Sequence, residues 1–136
     1  MQKILTKDFK NQLLKEGVIL VYLYGSEARG DAKLESDVDI AVLLNNKIKK
    51  NTYLKKTLKL SSLFNIIYPS KEIGILILNQ APPLLKQNAI VEGKELFVND
   101  KMGKILFENK ALHEYEDSRR LRKIYNEFLD HRINLL

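Results

Sequence analysis

Apolar positions recur along this chain with two different periods. Phe9, Leu13 and Leu14 fall at helical spacing behind Thr6-Lys7-Asp8-Phe9, which predicts a first helix with Thr6 as its cap and Gly17 as its stop. Val18 to Tyr24 is apolar without alternation, the pattern of a strand covered on both faces. Gly25 to Gly30 is expected to form a turn or two of a second helix, and Asp31 to Glu35 a loop. Asp37 to Leu44 reads as a second strand. Val38, Ile40 and Val42 share one of its faces, and Asp37, Asp39 and Ala41 share the other.

After a polar loop from Asn45 to Asn51, Leu54, Leu58, Leu60, Leu63, Phe64 and Ile67 recur at roughly helical spacing. They predict a helix over Tyr53 to Ile67, with Thr52 as cap and Pro69-Ser70 as breaker. Glu72 to Leu78 reads as a third strand, with Ile73, Ile75 and Ile77 facing one way and Glu72, Gly74, Leu76 and Leu78 the other. Pro82 or Pro83 opens a further helix that runs to Glu92 and stops at Gly93. Lys94 to Val98 is a short edge strand, and Met102 to Leu136 is mostly helical. Leu121, Ile124, Tyr125, Phe128, Leu129 and Arg132 fit one face of that last helix plus its flank. Tyr115, Tyr125 and Phe128 are read as core, although so long a helix on so small a sheet leaves part of its apolar stripe exposed. The order α-β-α-β-α-β-α-β-α implies an α/β (α+β) chain: a small sheet packed with helices, forming one domain over residues 1–136.

Composition narrows the chemistry. The chain has 136 residues and no cysteine, so thiolate metal sites and disulfides are excluded. His113 and His131 are too few for an imidazole-built zinc site, and both read as surface or interface residues. No apolar run approaches a membrane span and no signal-peptide pattern is present, so a cytoplasmic protein without membrane contact is expected. The net charge of +6 is uneven: Asn45 to Lys71 holds seven lysines and no acid. A solvated helix face is the plainer reading of these lysines; steering of a polyanion is the functional one. Tyr53, Phe64 and Tyr68 are the only aromatic residues among them, too few for a single-strand RNA platform.

The densest chemistry lies in Tyr24 to Leu44, YGSEARGDAKLESDVDIAVLL. Asp37 and Asp39 sit at i and i+2 of a strand and point to the same face. Two such carboxylates repel, and a divalent cation removes the conflict; oxygen-only ligands with room for phosphates suit Mg²⁺. The Gly25-Ser26 turn can offer backbone N–H groups and a hydroxyl to a phosphate at a helix start.

Gly25-Ser26-Glu27-Ala28-Arg29-Gly30 followed by Ser36-Asp37-Val38-Asp39 resembles the signature of the DNA polymerase β-like nucleotidyltransferase superfamily, in its minimal nucleotidyltransferase branch. The segments from Asn79 to Phe97 and from Leu112 to Asp117 are similar to that branch as well. The resemblance implies a mixed sheet and a reaction in which a hydroxyl attacks an NTP and pyrophosphate leaves. It implies that Asp37 and Asp39 hold two Mg²⁺ ions, that Gly25 and Ser26 hold the β/γ-phosphates of ATP, and that Arg29 touches phosphate or a partner. Members of the branch are often antitoxins of HEPN-type ribonuclease toxins, so the implied acceptor is a toxin tyrosine; tRNA is a further acceptor in keeping with the lysines. One departure stands out. The family supplies a third carboxylate from a later strand, and Gly74 occupies that place here, within Ile73 to Asn79. Glu72 lies on the same face but reads as a solvent-facing carboxylate at the strand end. The departure leaves a second reading, an impaired enzyme that neutralises its toxin by binding.

Overall fold

The computed structural model describes residues 5–25, 30 and 37–134. The helix expected at Gly25 to Gly30 and the loop after it therefore fall almost wholly outside the described residues. The elements are α1 (Lys7–Lys15), β1 (Val18–Tyr24), β2 (Val38–Leu44), α2 (Tyr53–Ile67), β3 (Ile73–Ile77), α3 (Pro83–Glu92), β4 (Lys94–Val98) and α4 (Lys101–Asn134). The strands form one mixed sheet in the order β3-β2-β1-β4. β1 runs antiparallel to β2 and β4, while β2 and β3 run parallel.

The unalternating runs become the two central strands, as a strand buried on both faces requires. One face packs on α1 and α2: Val21, Leu23, Val38, Ile40 and Val42 meet Phe9, Leu13, Leu60 and Phe64. The Phe9 and Phe64 rings meet edge-on with centroids 5.1 Å apart. The other face packs on α3 and α4, with Leu20, Tyr22, Ala41 and Leu43 against Ala89, Ile90 and Phe107. Tyr22 is buried among these residues, and its hydroxyl donates to the Glu108 carboxylate on α4. Burial and that carboxylate both push the Tyr22 phenol well above its ordinary pKa. The phenol therefore remains a neutral donor, tying α4 to the sheet.

Helix ends follow the sequence closely, with one exception. The Thr6 hydroxyl accepts from the Phe9 N–H at 3.2 Å, and Gly17 adopts φ +80, the left-handed conformation that ends α1. Pro83 is the first residue of α3. Thr52, however, does not cap α2. It belongs to a 3-10 turn over Lys50–Thr52 that winds directly into the helix, and its hydroxyl donates back to the Lys49 carbonyl at 2.7 Å. The apolar stripe of α2 is also narrower than its leucines imply: Leu60 and Phe64 are buried, but Leu54 and Leu58 face solvent.

Two polar features hold the Leu44 end of the sheet and the helices beside it. The Asn79 side chain accepts from the Leu44 N–H and donates to the Leu44 carbonyl, both at 2.8 Å, extending the β2–β3 ladder by one amide. Glu16, at the end of α1, is only 6% exposed and ion-paired to Lys56 and Lys59 of α2, each at 2.9 Å. The lysine run is therefore more than a solvated face, because two of its members neutralise a buried acid. Burial alone would raise the Glu16 pKa, but hydrogen bonds and charge from the two lysines outweigh it and hold the carboxyl below its ordinary value of 4.5. A depressed folded-state pKa means a stabilisation that is complete above the unfolded value and lost as pH falls through the folded one. Glu16→Gln is expected to cost about 1–2 kcal/mol at neutral pH and to remove this group's share of the acid limb below pH 4.5. Urea denaturation at a series of pH values from about 3 to 7, each compared with the wild type, checks both outcomes.

Candidate active site at one end of the sheet

The topology brings four chain segments to the same sheet end: the end of β1 and the starts of β2, β3 and β4. Antiparallel pairing sets Tyr24 opposite Asp39, and parallel pairing sets Asp39 opposite Gly74. Asp37 is exposed just before β2, Asp39 is half-buried, and alternation puts both on the sheet face that Ala41 shares.

Two glycines frame the Asp39 carboxylate. Gly25 adopts φ +73, and any Cβ there would overlap Asp39 Oδ2. A Cβ at Gly74 would lie 3.3 Å from Asp39 Oδ1. At these two positions glycine itself sets no side chain against the carboxylate, and Gly25 meets its left-handed backbone without strain. Tyr24 completes the wall. Burial, and then the Asp39 charge, raise its phenol above the ordinary pKa of 10.0, so it faces the carboxylate as a neutral hydroxyl.

Asp37 and Asp39 could hold a divalent cation: both donors are hard oxygens on one face, at an accessible strand start. Among the described residues, no group of three acidic or imidazole side chains is placed to hold a metal. Glu72 is exposed, as expected, and lies one register step from Gly74's partner: its carbonyl accepts from the Val38 N–H at 2.9 Å. It therefore stands beside Asp37 rather than Asp39. Ser26 and Arg29 lie outside the described residues.

The lysine cluster sits elsewhere. Lys47, Lys49, Lys55, Lys56 and Lys59 line an open groove of about 450 Å³ beside Glu16, at the Leu44 end of β2. Five residue steps of strand separate that end from Asp39, about 17 Å, and α2 covers the opposite sheet face. Phe64 and Tyr68 are buried, which removes two of the three aromatic residues from any stacking role. Tyr24 and Asn79 lie within the motif segments, and the sequence assigns neither a role. The place of Tyr24 follows from pairing, because the last residue of β1 opposes the Asp-x-Asp strand once the two strands pair antiparallel.

A polymerase β nucleotidyltransferase family model matches residues 5–102. The chain belongs to this nucleotidyltransferase family. Among solved structures, it resembles a chain of a toxin–antitoxin structure with AMP-PNP, at 24% identity and a TM-score of 0.68, covering 92% of this chain and 98% of the other. It also resembles a chain in the complex of tri-AMPylated Shewanella oneidensis HEPN toxin with MNT antitoxin, at 22% identity and a TM-score of 0.60, covering 90% and 97%. An MntA–HepT toxin–antitoxin structure matches at 22% identity and a TM-score of 0.60, covering 91% and 98%. These likenesses establish the fold. No curated protein matches the chain significantly.

Gly25→Ala tests the framing of Asp39. It forces an L side chain into the left-handed region and onto Oδ2, so a loss of about 1–3 kcal/mol is expected. Thermal denaturation measures the loss, and an unchanged melting temperature would mean that Gly25 does not constrain the carboxylate.

Proposed function

We propose that this chain is the antitoxin of a HEPN/minimal nucleotidyltransferase pair and that it transfers AMP from ATP to a tyrosine hydroxyl of its toxin in the cytoplasm. The observation that carries the reading is the placement of Asp37 and Asp39 on one sheet face beside Gly25, within a nucleotidyltransferase fold. The resemblance to toxin–antitoxin structures, one with AMP-PNP and one with an AMPylated toxin, supports the choice of nucleotide and acceptor.

In this reading Asp37 and Asp39 hold Mg²⁺, which neutralises phosphate charge during transfer. Gly25 and Ser26 offer donors to the β/γ-phosphates, and Arg29 adds a cationic contact to phosphate or partner. Tyr24 stands beside Asp39 as a neutral hydroxyl, because burial and the Asp39 charge both raise its phenol. The toxin hydroxyl attacks the α-phosphorus, the bond to the bridging oxygen breaks, and pyrophosphate departs.

One observation favours a second reading. Gly74 stands directly opposite Asp39, where a third carboxylate would complete the acidic set. A site without that acid binds nucleotide but activates the attacking hydroxyl poorly, so neutralisation by complex formation remains the alternative. Transfer to tRNA gains nothing from the fold, because the lysine groove lies at the far end of β2 on the other side.

Incubation with labelled ATP, Mg²⁺ and the toxin encoded beside this chain separates the readings. Label on the toxin, abolished by Asp37→Ala/Asp39→Ala, supports transfer. Tight binding of unlabelled toxin, unchanged by that variant, supports neutralisation by binding and sinks the enzymatic reading. Gly74→Asp is expected to raise transfer by about 10²-fold, the scale of general-base assistance. It also sets two like charges side by side, so its melting temperature without Mg²⁺ should fall and recover when Mg²⁺ is added.

A further inference from the structure

The second half of α4 leaves the body of the molecule. Ala111 is its last buried residue, and Leu121, Ile124, Tyr125 and Phe128 are 56–63% exposed. On a helix of about 3.6 residues per turn, these four and Arg132 fall within an arc of about 100°. This apolar stripe therefore has a cation at one end. At its other end lies an open groove of about 560 Å³ between the start of α3 and α4, lined by Pro83, Glu114, Asp117, Leu121, Arg122 and Tyr125.

Charge along this half of the helix is mixed. Glu116, Asp117, Arg119, Arg120, Arg122 and Lys123 lie in its first part, and Glu127, Asp130 and Arg132 in its second. Such a stripe is complementary to itself when reversed. An antiparallel second copy centred between Ile124 and Tyr125 sets Leu121 against Phe128 and Ile124 against Tyr125. The same register sets Arg132 against Asp117 and brings Arg120 alongside Glu127, each contact occurring twice about the two-fold axis. The intrahelical pairs that now engage these residues are loose: Arg120–Asp117 spans 3.6 Å and Arg119–Glu116 spans 3.9 Å, with every member about two-thirds exposed. Pairs of that kind contribute little and exchange readily.

We propose that α4 is a self-association surface on which a second copy of this chain packs antiparallel, its Arg132 seated in the groove against Asp117. The interface is isologous, so one set of residues supplies both sides. It is independent of the proposed transfer reaction, because none of these residues lies at the Asp39 end of the sheet.

Sedimentation equilibrium of the isolated chain is expected to give a mass near twice 15.8 kDa. Phe128→Lys removes the Leu121–Phe128 contact, which occurs twice in the dimer, and should yield a monomer with an unchanged circular dichroism spectrum, since this side chain is exposed. Arg132→Asp and Asp117→Arg should each weaken dimerisation on the order of tenfold, and the double reversal should restore it. The chain has no cysteine, so Ile124→Cys gives a second readout: it should form a disulfide-linked dimer on mild oxidation, while Leu58→Cys on exposed α2 should not. A monomer at every concentration overturns the proposal. So does a dimer indifferent to Phe128→Lys, or a double reversal that fails to rescue.

Discussion

The pairing register of β1 with β2 is the constraint on which the rest of this molecule depends. Side chains alternate across a sheet, so a slip of one residue would move Asp39 from the site face into the core packed by Phe9 and Phe64. The register is held by burial on both faces. Val38, Ile40 and Val42 fill one core while Ala41 and Leu43 fill the other, and exchanging the two sets would bury a carboxylate among aromatic rings. The same register places Tyr24 against Asp39 and Gly25 at its oxygen. The geometry of the candidate site is thus a consequence of core packing.

The third strand adds a parallel neighbour, and with it the residue that pairs with Asp39. Because Asp39 pairs with Gly74, an acid there would be contributed without any change in fold. The Asn79 amide bridges the strands at the opposite end by taking the place of a peptide group on the Leu44 backbone. The sheet can therefore keep its architecture whichever side chain stands opposite Asp39 at position 74. Membership in the nucleotidyltransferase family fixes the framework, and in the proposed reading position 74 is where a binder and an efficient catalyst would differ.

Much of this was legible from residues alone. Thr6, Gly17, Pro83 and the edge strand Lys94–Val98 act through local backbone preferences, which a sequence displays directly. The two faces of β2 and β3 follow from alternation. What sequence could not display were relations between distant segments. Glu16 looks like an ordinary helix-end charge until α2 brings Lys56 and Lys59 to it. Tyr125 and Phe128 look like core residues, but α4 outruns the sheet and leaves them in solvent. Leu54 and Leu58 fit a helical period, yet only one side of α2 meets the sheet. Ser26 and Arg29, read from the motif, lie outside the described residues and remain part of the proposal.

The central claim is that the sheet end formed by Gly25, Asp37 and Asp39 is where nucleotide and cation bind. Backbone amide chemical shifts, recorded by NMR as Mg²⁺ and a non-hydrolysable ATP analogue are added, test it most directly. The account predicts that the largest changes cluster at Tyr24, Gly25, Asp37, Asp39 and Gly74, and that they require both ligands. Changes centred on Lys47, Lys56 and Lys59, with the sheet end unmoved, would contradict it.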